Sequence, residues 1–308
     1  MVSFSPELLG LRIFISVIGI MGNVFLILSI IQTKFSRVKS FELFLLGLAV
    51  SNLEEILIVD IYDVVMRQAS SGSRNWTCRS LKFLTALGET TSILFTVLIS
   101  VFRYQKLRDA HKRVNLPIFL DSLRSAWMVS GICVSLAILL SSPIYVLNLD
   151  EHTDNNTTSN GIGCPPDFFL CHKDNCPTVN RLYKYMFLLV CNLLPLVIIT
   201  VTSCLILTVL LSQRSMITPV LSVSGSGQPG KKSKGPRLQR STVAVLAAMG
   251  LFQVDWTLYL VFHLAFHPSD FHFWSEMEFF ISTTYTSSSP YVYGIGNNLF
   301  SLKNIIKK

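Results

Sequence analysis

Charge is what this 308-residue chain has least of. Only 14% of its residues are Asp, Glu, Lys or Arg, against about 25% in soluble domains, which excludes an ordinary water-soluble fold. Its six histidines and seven cysteines show no metal-ligand spacing. No glycine-rich loop of the phosphate-cradling kind occurs, and no nucleophile, base and orienting group fall into a recognisable constellation. An enzyme, a cofactor and a metal centre are therefore not expected. No Lys or Arg precedes the first apolar run, and that run is long enough to span a bilayer, so it is expected to act as its own insertion signal rather than as a cleaved one. No internal repeat of transporter type is visible either.

Long apolar runs occupy most of the sequence instead. Half of the residues (50%) are hydrophobic and the mean hydropathy is +0.50. Seven stretches stand out: Leu8–Ile31, Phe41–Val65, Leu81–Leu107, Ser125–Leu147, Tyr183–Leu211, Ser241–Phe266 and Phe273–Asn297. A helix needs about 20 residues to cross the hydrocarbon layer. The expected fold is an all-α membrane protein, a single seven-transmembrane helix bundle over 1–308 with a short tail at 298–308. The net charge of +8 suggests a nucleic-acid partner only until its distribution is read: 18 of the 26 Lys and Arg lie in Lys34–Lys39, Arg103–Arg124, Arg214–Arg240 and Lys303–Lys308. These are alternate connections plus the C-terminus, and basic loops mark the cytoplasmic side. The N-terminus is thus expected outside and the C-terminus in the cytosol. Membrane lipids are expected partners; nucleic acid is not.

The leading segment is too short for a ligand-binding domain, so a ligand must reach the bundle itself. The one long outer loop, about 148–181, carries overlapping glycosylation sequons at Asn155 and Asn156. A further sequon at Asn75 abuts a helix. The loop between the fifth and sixth spans pairs a Gly/Ser-rich linker with the basic run Lys231–Lys234, suited to an anionic lipid surface or a cytosolic partner. Cys133, Cys191 and Cys204 fall within spans as packing residues. Cys78 stands at the outer start of the third span, facing an oxidising compartment. A bridge to the outer loop has three candidates: Cys164, Cys171 and Cys176.

Ionisable groups inside a bilayer cost about 2.5–3.5 kcal/mol each on insertion scales and should face the interior. On the third span Cys78, Lys82, Thr85, Glu89, Ser92, Thr96 and Arg103 fall within an arc of about 80°, which puts that helix at the centre. The sixth span aligns Phe252, Asp255, Tyr259, Phe262 and Phe266, and the seventh aligns Glu278, Ser282, Tyr285, Ser289 and Tyr293. The hydroxyls serve as well for interhelical glue. Glu89 and Asp255 read as functional, because burying a carboxylate costs more than packing requires. His263, His267 and His272 read as scattered exposed residues.

With these residues in place the chain resembles the rhodopsin-like G-protein-coupled receptors. Gly22-Asn23 matches the first-helix pattern, and Leu48-Ala49-Val50-Ser51-Asn52 the second, with Asn52 where the family usually has Asp. Cys78 and Arg103 keep the family's 25-residue spacing. Pro195 and Pro290-Tyr291-Val292-Tyr293 match the fifth and seventh helices. Three departures stand beside these matches: Asp255-Trp256-Thr257 replaces Trp-x-Pro, Ser289 replaces Asn, and Phe102-Arg103-Tyr104 replaces the acidic-Arg-Tyr triplet. The stretch from Phe102 to Ala110, followed by Lys112-Arg113-Val114-Asn115, is most similar to the vomeronasal type-1 receptors and their fish relatives, the olfactory-receptor-class-A-related (ORA) group. That resemblance implies a chemosensory receptor in the plasma membrane of chemosensory neurons. It takes a small odorant or pheromone within the bundle and activates a heterotrimeric G protein. It implies a ligand site at Lys82, Glu89, Asp255, Tyr259, Phe262, Glu278 and Tyr285, and a switch at Arg103, Tyr104 and Tyr293. Within it, the 24-residue distance to Pro195 favours Cys171 as the partner of Cys78, leaving Cys164 and Cys176 for a local bridge. A bitter-taste-type receptor and a seven-helix transporter are the alternatives.

Overall fold

The computed structural model describes residues 6–32, 39–68, 74–112, 119–147, 169, 176–217, 235–266 and 274–297. Among them are seven long helices and no strand. They are α1 (Pro6–Ile31), α2 (Ser40–Gln68), α3 (Arg74–Lys112), α4 (Leu123–Ser141), α5, α6 (Gly235–Ala265) and α7 (Trp274–Gly296). Helix α5 is continuous but not uniform: it runs as Thr178–Phe187, widens into a π-helical stretch at Leu188–Leu193, and resumes as Leu194–Ile217. Each expected span has its helix. Asn155, Asn156, Cys164, Cys171, Lys231–Lys234, His267, His272 and the tail lie outside the described residues.

Local chemistry sets several boundaries. Ser122 caps α4, its Oγ accepting from the Ser125 amide at 3.2 Å and so satisfying one of the orphan donors of the first turn. Pro143 ends the same helix by opening the 3-10 turn Ser142–Tyr145. In α5 the π-helical stretch directly precedes Pro195. Proline cannot donate to the carbonyl four residues back and crowds it, and a widened turn at that point absorbs the defect. Its inward face carries Cys191 and Asn192, both buried.

The seven helices are not equally apolar. Five stretches are long and apolar enough to cross a membrane: Leu8–Ile31, Trp76–Ala110, Leu123–Tyr145, Thr178–Ser212 and Arg240–Ala265. Helices α2 and α7 have the length, 29 and 23 residues, but carry Glu54, Glu55 and Asp60, and Glu276 and Glu278. They afford this by packing against neighbours: α2 lies chiefly on α3, and α7 between α1 and α6. The central place of α3 is plain from burial, 67% of its apolar window against 22% for α4. The remaining faces of α1, α4 and α5 expose Phe14, Trp127, Ile132, Leu139, Leu182 and Leu189, a surface suited to lipid tails.

Two glycines let α2 and α3 approach closely. A Cβ at Gly47 would sit 2.3 Å from the Phe95 ring, and one at Gly88 would sit 3.2 Å from the Glu55 backbone nitrogen. The second contact sets Glu55 of α2 beside Glu89 of α3. Phe95 is itself buried and has no room to retreat. Gly47→Ala is therefore expected to destabilise the bundle by about 1–3 kcal/mol, the usual cost of overpacking. Gly131→Ala, whose Cβ would meet nothing within 4 Å, should be neutral or slightly stabilising. Thermal unfolding of the purified protein in detergent checks both; equal effects would refute the close-approach account.

Candidate functional site

At one end of α3, Arg103 has no acidic partner among the described residues. Its Nη2 donates to Asn297 Oδ1 at 3.0 Å, and its guanidinium lies 3.5 Å from the centre of the Phe41 ring. Asn297 also accepts from the Ser241 hydroxyl of α6 and donates to the Tyr293 carbonyl at 2.8 Å. One amide thus ties α3, α6 and α7 together. Phe102, which stands where an acid was expected, packs against Phe41 and Phe44 at 6.1 and 5.6 Å between ring centres. It anchors α2 and so places the ring that carries Arg103. Tyr104 lies against Arg108, 5.8 Å from the guanidinium to the ring centre, while Tyr293 is fully buried and neighbours both Arg103 and Tyr285.

A polar network fills the middle of the bundle. Ser92 Oγ donates to Asn52 Oδ1 at 2.6 Å, and Asn52 Nδ2 donates to Ser289 Oγ at 3.0 Å and, at 3.4 Å, towards Asn23 Oδ1. Asn23 donates to the carbonyls of Gly19 and Thr286 at 2.9 and 3.0 Å. Four helices, α1, α2, α3 and α7, meet here. The two departures noted at these positions fit one another. The amide at 52 donates to the Ser289 hydroxyl while its oxygen accepts from Ser92, so one side chain joins α2, α3 and α7. Nearer the Arg103 end, Thr96 Oγ1 and Tyr285 OH lie 2.9 Å apart, and Phe252 packs edge-on against Tyr285 at 5.3 Å.

Towards the Cys78 end the same face of α3 presents Glu89, buried and accepting from the Tyr259 hydroxyl. A ladder of rings climbs α6 beside it. Trp256 and Tyr259 are 5.0 Å apart, and Tyr259 and His263 are 4.3 Å apart. His263 Nε2 lies 3.7 Å from Glu278 Oε1 of α7. Phe169, from the segment between α4 and α5, closes the top. It is fully buried and touches Phe187, His263 and Tyr183 at 5.7, 5.9 and 6.1 Å, with the Lys184 ammonium 5.9 Å from its ring centre. Several buried atoms here lack a hydrogen-bond partner among the described residues: Glu55 Oε2, Glu89 Oε1, Asp255 Oδ2, Trp256 Nε1 and both ends of the Asn192 amide. In a medium without water such groups are costly, and a polar ligand would satisfy them.

Of the residues expected to bind a ligand, Glu89, Tyr259 and Glu278 come together across α3, α6 and α7. Lys82 is buried on α3, seven residues or about 10 Å outward of Glu89. Phe262 packs on Phe266 and His263 towards the end of α6. Asp255 and Tyr285 lie deeper, near one another and level with Thr96. His263 corrects the expectation of an exposed histidine: it is 2% exposed, because it turns towards Tyr259 and Phe169 rather than outward. Phe169, Asn192 and Asn297 were not anticipated. No local periodicity marks a single loop phenylalanine or an asparagine whose partners are distant in the chain. Cys78 and Cys176 are each disulfide-bonded, and Cys133, Cys191 and Cys204 are free.

Residues 22–292 match the model of the 7 transmembrane receptor (rhodopsin family), a stretch that runs from within α1 to within α7. No curated protein matches the chain significantly.

The Asn52 network makes its own prediction. Asn52→Leu strands the Ser92 and Ser289 hydroxyls in the interior and should lower stability by about 1–3 kcal/mol. Ser135→Ala, at an exposed hydroxyl on α4, should stay within about 0.5 kcal/mol. Thermal unfolding measured side by side decides; an unchanged Asn52→Leu protein would show that the network carries no weight.

Proposed function

Because the chain belongs to the rhodopsin family of seven-transmembrane receptors, we propose that it is a chemosensory receptor which takes a small odorant or pheromone inside the bundle and activates a heterotrimeric G protein. The observation that carries this reading is the polar column along α3. It runs from Glu89 through Ser92 and Thr96 to Arg103, with partners on α6 at Glu89, on α2 at Ser92, on α7 at Thr96 and at Asn297, which follows α7, at Arg103. Fourteen residues separate Glu89 from Arg103, about 21 Å along a helix, so the ligand end and the effector end are distinct but share one rod. The chemosensory assignment rests on the stretch from Phe102 to Ala110 and on Asn52, Ser289 and Asp255-Trp256-Thr257, which are similar to the vomeronasal type-1 and fish ORA branch. We place the receptor in the plasma membrane of chemosensory neurons, with the Cys78 end outside and the basic loops at the Arg103 end in the cytosol.

Activation follows from which contacts a ligand can change. A ligand shifts a conformational equilibrium only by binding one state better than the other. Tyr259 and Trp256 on α6 flank the Glu89 pocket, and Ser241, on the same helix, holds Asn297 at the far end. A ligand that draws Tyr259 from Glu89 favours a rotated or tilted α6. Tilting α6 outward at its Ser241 end breaks the Ser241–Asn297 bond and loosens the hold on Arg103. The crevice that opens is where the G protein docks.

Asn297→Ala should therefore raise ligand-independent nucleotide exchange on a co-reconstituted G protein several-fold. Arg103→Ala should abolish exchange while leaving ligand affinity largely intact. Both are read by GTP-analogue uptake in vesicles; normal signalling by Arg103→Ala, or a silent Asn297→Ala, would refute the switch.

We also propose that Cys78 pairs with Cys171 and Cys176 with Cys164, so that the outer loop is drawn over the pocket that Phe169 closes. Mass mapping of non-reduced peptides should recover these two linked pairs. A Cys78–Cys176 peptide would overturn the assignment.

A further inference from the structure

We infer that Glu55 and Glu89 form a deep acidic subsite that takes the ammonium head of an organic amine. The inference rests on the reading of the bundle as a small-molecule pocket and commits that pocket to one ligand class. Glu55 and Glu89 are 2% and 4% exposed. They come from different helices, pressed together where Gly88 of α3 meets the Glu55 backbone. Neighbouring Glu54 is only half-buried on the other side of α2. Each inward carboxylate keeps one oxygen without a donor among the described residues.

A second, independent feature comes from α5. The Asn192 amide is fully buried on the π-helical stretch with neither end bonded. Its neighbour Cys191 lies close to Glu89 and Thr90. Trp256 and Tyr259 supply aromatic faces from α6, which attract cations. The groups shown against Glu89 are thus Glu55 from α2, Cys191 from α5 and Tyr259 from α6, with the buried Asn192 amide on the same stretch of α5. Glu278 of α7 stands further out, beside His263.

The chemistry of these groups selects the ligand. An ionised carboxylate accepts and does not donate, and an ammonium, with three donors and no acceptor, is the partner that lets a buried carboxylate stay ionised. An anion would bring like charge against two carboxylates in a medium that screens poorly. The basic residues of this half of the bundle do not offset that: Arg12 of α1 is paired with Asp60 and lies over Phe279. Lys82 is about 10 Å outward of Glu89, and Lys184 lies beside Phe169 and His263 at the top. Positive charge at the mouth and negative charge at the floor suit a ligand that enters amine first, its apolar body against Trp256 and Tyr259 and any acceptor it carries left near Lys184.

The test uses the full-length receptor in lipid nanodiscs with three probes of equal length: heptylamine, heptanoic acid and heptanol. Heptylamine should raise the melting temperature in a saturable way, and the other two should not. Glu55→Gln and Glu89→Gln should each weaken heptylamine by at least about tenfold, the usual result of removing one partner of a buried charge pair, while Gly131→Ala should not. Stabilisation by the acid or the alcohol but not the amine would overturn the amine assignment and leave the small-molecule pocket standing. Full heptylamine binding in the double variant would place the amine elsewhere and overturn the subsite. Sodium chloride that stabilises the parent and excludes heptylamine would replace the organic cation with an inorganic one. Silence of all three probes would overturn the pocket itself.

Discussion

The buried polar groups on α3 must find their partners within the bundle, on the backbone of α3 or in another helix, because the surrounding lipid offers none. That constraint organises the molecule. The stripe from Lys82 to Arg103 draws polar groups from α2, α6 and α7 to matching heights, and the glycines at 47 and 88 bring the backbones near enough for short side chains to meet. Helices α2 and α7 can carry carboxylates and hydroxyls only because α3, α1 and α6 cover them. Helices α1, α4 and α5, with little to satisfy, turn apolar faces outward. The arrangement of the bundle is thus set as much by where polar groups are paid for as by apolar packing.

The same constraint supports the proposed division of the bundle into levels. The middle of the bundle is satisfied: Asn52, Ser92, Ser289 and Asn23 bond one another. The Glu89 level is not, and its unpaired oxygens and amide are what a ligand would complete. At the Arg103 level a single amide makes contacts on three helices and bonds one nitrogen of the guanidinium, while Arg103 Nε and the Tyr293 hydroxyl have no partner among the described residues. An amide bridge is weaker than a buried ion pair and costs less to form, since neither partner brings a second charge into the interior. A restraint of that strength can be opened by the modest differential binding of a small ligand.

Much of this was legible from the sequence. The positions of the spans followed from length and hydropathy, and the central place of α3 followed from a polar arc that no lipid-facing helix could bear. The absence of an acid before Arg103 told that its restraint lay elsewhere, but not where. Asn297 is 194 residues away in the chain and carries no periodic signal. Glu54 and Glu55 illustrate the same limit. Adjacent residues on a helix point about 100° apart, and only the seat of α2 against Gly88 decides that Glu55 turns inward. His263 read as exposed because it sits near a helix end, yet a loop residue, Phe169, covers it. Contacts made by loops and by distant chain segments follow from tertiary packing, which local pattern does not encode.

The central claim is that Asn297, gripped by Ser241, holds α6 against Arg103 in the resting receptor. Spin labels at Leu123 on α4 and Val243 on α6, both exposed at that end of the bundle, report the separation directly. Pulsed electron–electron resonance in nanodiscs, without ligand, should give one short distance in the parent. In Asn297→Ala a second, longer population should grow. Identical distance distributions in the two proteins would contradict the account.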